Sequence, residues 1–392
     1  MTADFGTTSR ETTISLRLTR EERDQIAEAS SLMGFTSVSE YIRHLHKAVA
    51  DTRLTKRPSQ RPVSLPPTTT FSTKLGQIVH GDSRDYLDSL APGSVDLFMT
   101  SPPFGLVRRK SYGNEDADAY CEWFRPFAEG MHRALKEDGS IVVDIGGAWK
   151  PGMPTRSLYH FKLLVMLCEE FGFHLAQEHF WWNPAKLPSP AEWVNVRRVR
   201  VKDAVNCVWW LSKTPYPKAN NRRVLAPYSS SMRALLKNGY TSKMRPSGHD
   251  ISANFSKDNG GAVPPNLLAI ANTESTGAYQ DYCRRNDIPV HPARFPAQLP
   301  EYFIRFLTDP GDVVVDPFAG SCMTGAVAES LGRRWACVEL DSEFIRGALG
   351  RFSPDGNPIA THGGPTSYSI ASPGSIAVND GVPLVANGGA TR

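Results

Sequence analysis

The chain is expected to fold as an α/β protein: a doubly wound, mostly parallel sheet with an antiparallel strand, preceded by a small separate unit. Two observations lead there. From about residue 74 to 352, short apolar runs alternate with stretches of helical periodicity, as in a sheet whose strands need crossover helices between them. Residues 1–50 carry a pattern of their own, and "DTRLTKRPSQRPVSLPPTTTFST" (51–73), rich in Pro, Thr and Ser, reads as a flexible linker between the two. At 392 residues, 40% of them hydrophobic, the chain can bury one sizeable core with a smaller appended unit.

In the N-terminal unit, "TISLRL" alternates, with Ile14, Leu16 and Leu18 on one face and Thr13, Ser15 and Arg17 on the other. Thr19 and Glu22 have capping-box spacing and open a helix through Ile26, Leu32 and Met33 that Gly34 ends. Ser37 and Glu40 repeat the device before Val38, Tyr41, Ile42, Leu45 and Val49, again at helical spacing. One strand and two helices cannot bury this much apolar surface alone. Two copies can, if their strands pair as an antiparallel ribbon over four helices.

The main region (74–352) reads in order. "KLGQIVHGDSRDYLDSL" is a strand and a short helix, "SVDLFMTS" a strand, and "AYCEWFRPFAEGMHRALKEDG" a helix stopped at Gly139. "SIVVDIGG" is a strand, "SLYHFKLLVMLCEEFG" a helix, and "FHLAQEHFWWN" with "AVNCVWWLSK" an antiparallel pair. Helix "PEYFIRFLTD", strand "DVVVDPF", helix "MTGAVAESLG" and strand "RWACVEL" follow. Residues 353–392 hold too few large apolar side chains to fold alone and are expected to be a disordered tail. Ligands of such sheets bind at the carboxyl ends of strands, near the point where strand order reverses.

No apolar run approaches the roughly 20 residues of a membrane span. "MTADFGTTSRETT" lacks the profile of a secretory signal, so a cytoplasmic protein without membrane contact is expected. The six cysteines are scattered, with no C-x-x-C pair and no His cluster, so neither structural disulfides nor a metal site is expected. The net charge of +4 conceals an asymmetry. Between Val194 and Gly248, twelve basic residues face one acid, Asp203, giving +11 and leaving −7 for the rest of the chain. Trp209, Trp210, Tyr216, Tyr228 and Tyr240 are interleaved with them. Cations among aromatic rings suit a polyanion whose bases can be stacked upon. The region near 185–260 is therefore expected to meet nucleic acid, through Arg197, Arg198, Arg200, Lys202, Arg222 and Arg223.

Two strand ends carry the chemistry. In "VVVDPFAGSCMTGAVAESLGRRWACVELD" a strand ends at Asp316, a small-residue turn (Ala319, Gly320, Ser321) leads into a helix near Met323, and a second strand ends at Glu339. Such a turn lets a ligand approach backbone amides, and the acid suits ribose hydroxyls. With no lysine in the turn, it is not a phosphate-cradling loop. A nucleoside without a phosphate chain fits better, and this points to S-adenosylmethionine. The other end is "DLFMTSPPFGL". A nucleobase amino nitrogen is a poor nucleophile because its lone pair is delocalised into the ring. Two acceptors for its hydrogens, the Ser101 side chain and the Pro102 carbonyl, favour a tetrahedral nitrogen with that pair free. Pro102 and Pro103 fix the turn and add no competing N–H, while Phe104 can stack on a base that has left the duplex.

With "TSPPF" ahead of the basic region and "DPFAGSCMTG" behind it, the domain resembles the beta-class N4-cytosine-specific DNA methyltransferases of restriction-modification systems. "SPPFGLVRRKSYGN", "WWNPAKLPSPAEWVN" and "HPARFPAQLPEYFIRFLT" extend the likeness over roughly residues 75 to 352. The resemblance implies a Rossmann-like, S-adenosylmethionine-dependent sheet with circularly permuted motif order. It implies N4-methylation of cytosine in a short duplex palindrome, CAGCTG being the sequence it suggests, and a cognate restriction endonuclease as functional partner. Ser101, Pro102, Pro103 and Phe104 match the catalytic motif, and Asp144 the carboxylate that assists the serine as proton acceptor. Asp316, Phe318, Gly320, Ser321 and Thr324 match the methionine-binding turn, Glu339 the ribose acid, Asp82 the segment beside adenine, and Arg294, Phe295 and Pro296 the wall beside the methionine end. Cys322 departs from the family's usual glycine, which puts cofactor affinity in question. Trp181 and Trp182 are candidates to wall the flipped base or to pack in the core. The N-terminal unit resembles the ribbon-helix-helix DNA-binding family, which implies a homodimer, base contacts from Thr13, Ser15 and Arg17, and phosphate contacts from the Ser37 and Val38 amides. Sequence alone leaves two alternatives open: N6-methylation of adenine, and a DNA-binding autoregulator that represses transcription.

Overall fold

The computed structural model describes residues 19–32, 37–42, 66–105, 117, 119–150, 152–239, 257–353 and 356–359. The chain divides into two units, residues 1–63 and residues 64–392.

In the first unit, helix α1 spans Arg20–Leu32. Its capping box is formed: Thr19 N donates to Glu22 Oε2 at 2.8 Å and Glu22 N to Thr19 Oγ1 at 3.2 Å. Ser37 Oγ accepts Glu40 N at 3.2 Å where the helical residues 38–42 begin. Thr13, Ser15, Arg17 and Gly34 lie outside the described residues.

The second unit contains β1 (Thr68–Ser72), β2 (Gly76–His80), α2 (Ser83–Ser89), β3 (Val95–Thr100), α3 (Tyr120–Ala134), β4 (Leu135–Ile145), α4 (Tyr159–Glu169), β5 (His174–Trp182) and β6 (Val205–Ser212). These are followed by α5 (Ser230–Asn238), β7 (Leu267–Ala269), α6 (Ala278–Arg285), α7 (Gln298–Leu307), β8 (Val313–Asp316), α8 (Met323–Ser330), β9 (Arg334–Glu339) and α9 (Ser342–Ala348). The strands form one nine-stranded sheet in the order β1-β2-β9-β8-β3-β4-β6-β5-β7. From β2 to β4 all neighbours are parallel, while β6 pairs antiparallel with both β4 and β5. β3 and β8 are adjacent at the centre although far apart in sequence. That is where the winding reverses, and it brings the carboxyl ends of β3, β4, β8 and β9 together.

Packing follows from the pattern of β3. All six of its residues are buried, as in a central parallel strand covered on both faces. Leu97 and Met99 join one core with Phe303, Ile304 and Val327, while Val95 and Phe98 join the other with Phe124, Met131 and Leu163. The aromatic and aliphatic faces of α3 and α7 thus clamp the sheet from opposite sides.

The structure corrects several boundaries. Helix α3 ends at Ala134 rather than Gly139, because Leu135 already pairs with Val95 of β3 and Ser94 N bonds the Ala134 carbonyl at 2.8 Å. The segment 51–73 is not all linker: Thr68–Ser72 pairs antiparallel with β2, and Phe71 meets Phe352 with ring centroids 5.3 Å apart. Nor does packing stop at residue 352. Phe352 stacks on Trp335 at 5.5 Å and pairs with Pro358, and Ile359 N bonds the Arg351 carbonyl at 2.7 Å. α5, α6 and β7 are elements that periodicity did not reveal, being short and only partly apolar.

Candidate active site at the strand ends

A cavity of about 600 Å³ opens at the carboxyl ends of the central strands. Ser101, the first residue after β3, lines it together with Pro102, Pro103 and Phe104. Tyr120, fully buried on α3, donates its hydroxyl to the Pro103 carbonyl at 2.8 Å and so holds the Pro-Pro turn. A Cβ at Gly146 would stand 2.5 Å from the Phe104 ring, so glycine there makes room for the aromatic wall. Tyr159 donates to the Gly146 carbonyl and fixes that segment from behind.

Asp144, near the end of β4, is only 2% exposed. Its Oδ2 accepts the Ser101 hydroxyl at 3.0 Å, and its Oδ1 accepts the Asn206 amide of β6, also at 3.0 Å. Burial pushes this carboxyl up to about 6, against the pull of the two hydrogen bonds. Lys186 also lines the cavity, near enough to Asp144 for their charges to interact. Burial lowers its affinity for the proton, opposed by Asp203 and Asp144.

At the other end, Gly320 adopts φ +51°, and the His291 ring lies 3.0 Å from where a Cβ would stand. Gly320 N donates to Glu339 Oε2 at 2.7 Å, while Oε1 accepts the Leu340 and Asp341 amides at 2.9 Å each. Burial raises the pKa of Glu339. Asp82, Phe318, Ser321, Arg294 and Phe295 also line the cavity. Asp82 doubles as the cap of α2, accepting Arg84 N at 2.8 Å.

Four of the nominated residues take other positions. Asp316 and Thr324 lie beneath the turn rather than in the cavity lining. Asp316 Oδ1 accepts Thr100 Oγ1 at 2.7 Å and Phe318 N at 3.0 Å, and its Oδ2 accepts Thr324 Oγ1 at 2.6 Å. This brace ties β3, β8 and α8 together. Pro296 is likewise absent from the lining, and of the two tryptophans only Trp181 is present there, its indole N–H held by the Ile270 carbonyl at 2.9 Å.

Cys322 adopts the left-handed conformation, φ +57°, which explains why glycine suits the position. Its side chain is fully buried in the core with Trp335 and Cys337 and does not line the cavity. The departure from glycine therefore does not narrow the cavity.

The +11 region is less free than its composition suggests. Arg223 binds the Thr308 carbonyl at 2.6 Å and pairs with Asp309, Lys218 pairs with Asp309 at 2.8 Å, and Lys213 pairs with Glu137 at 3.0 Å. These three fasten the region to β4 and to the connection between α7 and β8, so Arg223 is ion-paired rather than a free cation. Arg200 and Arg156 share Asp203 at 2.9 and 2.7 Å, and exposed Arg197 pairs with Glu192 at 2.7 Å. Arg198, Lys202 and Arg222 remain exposed, the first two alongside Val199 and Val201 at 61% and 85% exposure. Sequence reasoning missed Asn206, Lys186, Tyr120, Tyr159 and His291. The one legible signal was a polar residue, Asn206, inside the apolar run "AVNCVWW".

A doubly wound sheet with a Ser-Pro-Pro-Phe turn and a glycine turn opening on one cavity defines a nucleobase-modifying class, and residues 95–349 match the family described as DNA methylase. The chain belongs to that family. It is 52% identical over 285 residues to the type II methyltransferase M.PvuII of Proteus hauseri, covering 72% of this chain and 85% of that one. It is 25% identical over 299 residues to the DNA adenine methyltransferase YhdJ of Escherichia coli (strain K12), covering 75% and 86%. Among solved structures, the PvuII DNA methyltransferase (cytosine-N4-specific) superposes with a TM-score of 0.60 at 43% identity, covering 73% of this chain and 90% of that one. No helix among the described residues is long and apolar enough to cross a membrane.

Proposed function

We propose that this chain is a site-specific DNA methyltransferase that methylates the N4 amino group of a cytosine flipped out of duplex DNA. The observation that carries the reading is the Ser101–Asp144 hydrogen bond at one end of the same cavity whose other end is the Gly320–Glu339 turn. The likeness to the solved PvuII DNA methyltransferase, named as cytosine-N4-specific and 43% identical, supports cytosine over adenine, since the relative named as an adenine enzyme is only 25% identical. CAGCTG is the proposed target, on the same resemblance.

S-adenosylmethionine, when bound, would supply a methyl group on a positively charged sulfur, which keeps the electron pair of the broken S–C bond and leaves as a neutral thioether. Gly320, Glu339, Asp82, Phe295 and Ser321 would hold it, and the open backbone of Gly320 suits its close approach. On the substrate side, Phe104 and Trp181 wall the base. The Pro102 carbonyl and Ser101 Oγ accept the two amino hydrogens, which frees the nitrogen lone pair. As the new N–C bond forms, the nitrogen gives one proton to Ser101 Oγ. The serine's own proton passes to Asp144 Oδ2, so the released proton ends on the carboxylate.

In this reading the catalytic segment precedes the cofactor segment, the circularly permuted order. Arg197, Arg198, Lys202 and Arg222 contact DNA phosphates or bases, and the protein works in the cytoplasm beside a restriction endonuclease. The N-terminal unit acts as a ribbon-helix-helix dimer that grips DNA through Thr13, Ser15 and Arg17. Nucleoside mass spectrometry of DNA incubated with protein and S-adenosylmethionine tests the main assignment. N4-methylcytosine that disappears with Ser101→Ala is the expected result, and N6-methyladenine overturns the choice of base.

A further inference from the structure

We propose that Asn206 is a positioning residue for methyl transfer, fixing the Asp144 carboxylate so that its free oxygen faces the Ser101 hydroxyl. The inference rests on the reading of Ser101 and Asp144 as the proton-accepting pair.

A carboxyl as buried as Asp144 tends to hold its proton, and a protonated Asp144 cannot take another. Two hydrogen bonds offset this burial. One comes from Ser101, the group whose proton Asp144 must receive. The other comes from Asn206, which takes no part in the transfer. Its place is set by the sheet. β6 runs antiparallel to β4 with Asp144 opposite Val208 and Ile145 opposite Cys207, so Asn206 falls just past the last pair. Its partner on β5 is Trp181, which walls the cavity. A carboxylate only accepts, so Asn206 turns its amide N–H to Asp144. Its oxygen then lies 3.3 Å from the Cβ that Gly146 lacks, on the side of Phe104. Glycine at 146 thus gives room to both the amide and the aromatic wall.

An amide suits this position because it donates without carrying charge and cannot itself take the proton. The charged groups around Asp144 divide differently. Lys186 approaches from the segment after β5, and Arg156 is paired to Asp203 at 2.7 Å. Tyr159 on α4 and Cys207 on β6 stay protonated, burial pushing the thiol up to about 11. None of these bonds the carboxylate directly among the described contacts. Removing the Asn206 donor should leave Asp144 holding its proton to higher pH.

The experiment is single-turnover methylation from pH 5 to 9 for the intact protein, with Asn206→Ala, Asn206→Leu, which keeps the bulk without the donor, and Asp144→Asn. Cofactor affinity is followed by tryptophan fluorescence. The intact protein should lose rate below a limb near pH 6. Both Asn206 variants should move that limb up by about one pH unit, a loss of about fivefold at pH 6, approaching tenfold at pH 5 and recovered above pH 8, with cofactor affinity unchanged. A limb at its original pH in whichever variants fold overturns the proposal, even if the plateau rate falls. Should Asp144→Asn keep full rate, the underlying reading of the pair fails; should it lose activity while the Asn206 variants keep the limb, only the role of Asn206 fails.

Discussion

Asp144 near the end of β4 and Asp316 at the end of β8 are near twins by most measures. Each is at most 2% exposed, and each is pushed by burial up to about 6. They differ in what their oxygens hold. Asp316 is saturated by the hydroxyls of Thr100 and Thr324 and the amide of Phe318, all internal, and it does not line the cavity. Asp144 lines the cavity, and one of its two partners, Ser101, itself faces the substrate space. A raised pKa therefore marks burial in both, and only the identity of the hydrogen-bond partners separates the proposed proton acceptor from a structural brace.

The largest effect should come from breaking the catalytic member of the pair. Ser101→Ala or Asp144→Asn should lower the methylation rate by about 10²–10⁴-fold while leaving cofactor binding nearly intact, as fluorescence titration would report. Asp316→Ala should do the reverse. Losing an ionisable centre that holds three buried donors should cost about 3 kcal/mol or more of folding stability, read by urea unfolding, and activity should fall only because the turn loosens.

A smaller and more discriminating difference lies in pH. Both carboxyls sit near 6 when folded, above the ordinary value of 3.8. The folded state thus binds their protons more tightly, so each contributes stability that is fully present below about pH 4 and is lost as pH rises through about 6. The loss is about 3 kcal/mol for each at most. Asp316→Asn should flatten this decline in pH-resolved unfolding without moving the acid limb of methylation, whereas Asp144→Asn should affect both. The smallest effect is expected at Cys322, whose thiol faces the core. Cys322→Gly relieves a left-handed backbone but leaves a small hole, so stability should change by less than about 1 kcal/mol. S-adenosylmethionine affinity should stay within about twofold by titration, and a large gain would mean that the thiol does reach the cofactor.

Much of the site was legible because strand ends announce themselves. Prolines cannot continue a ladder, and a glycine turn before a helix marks a place where backbone meets ligand. Ser101 through Phe104, Gly320, Ser321 and Glu339 were readable on that basis, Asp144 was named through the family resemblance, and all line one cavity. The place of Asp316 and Thr324 beneath the turn was not legible because a motif shows which residues are adjacent in sequence and not which way they face. The pairing of Arg223 was not legible because the composition of a segment is silent about the acids, here Asp309, that a distant helix end brings to it. β1 was hidden in a Pro- and Thr-rich stretch because its strand character comes from pairing with β2 rather than from its own apolar pattern.

The alternation of the strands, the periodicity of the helices and the two strand-end turns are local properties, and the sequence by itself determined them, with the α/β class and the position of the chemistry along the chain. Tertiary structure decided which buried aspartate faces the cavity and which lies beneath the turn. It also brought Asn206 to Asp144, across 62 residues, and Ser101 to the same carboxylate, across 43. Those pairings depend on the order and register of strands in the sheet. Strand order is settled by how both faces of the sheet are buried at once, which no local pattern encodes.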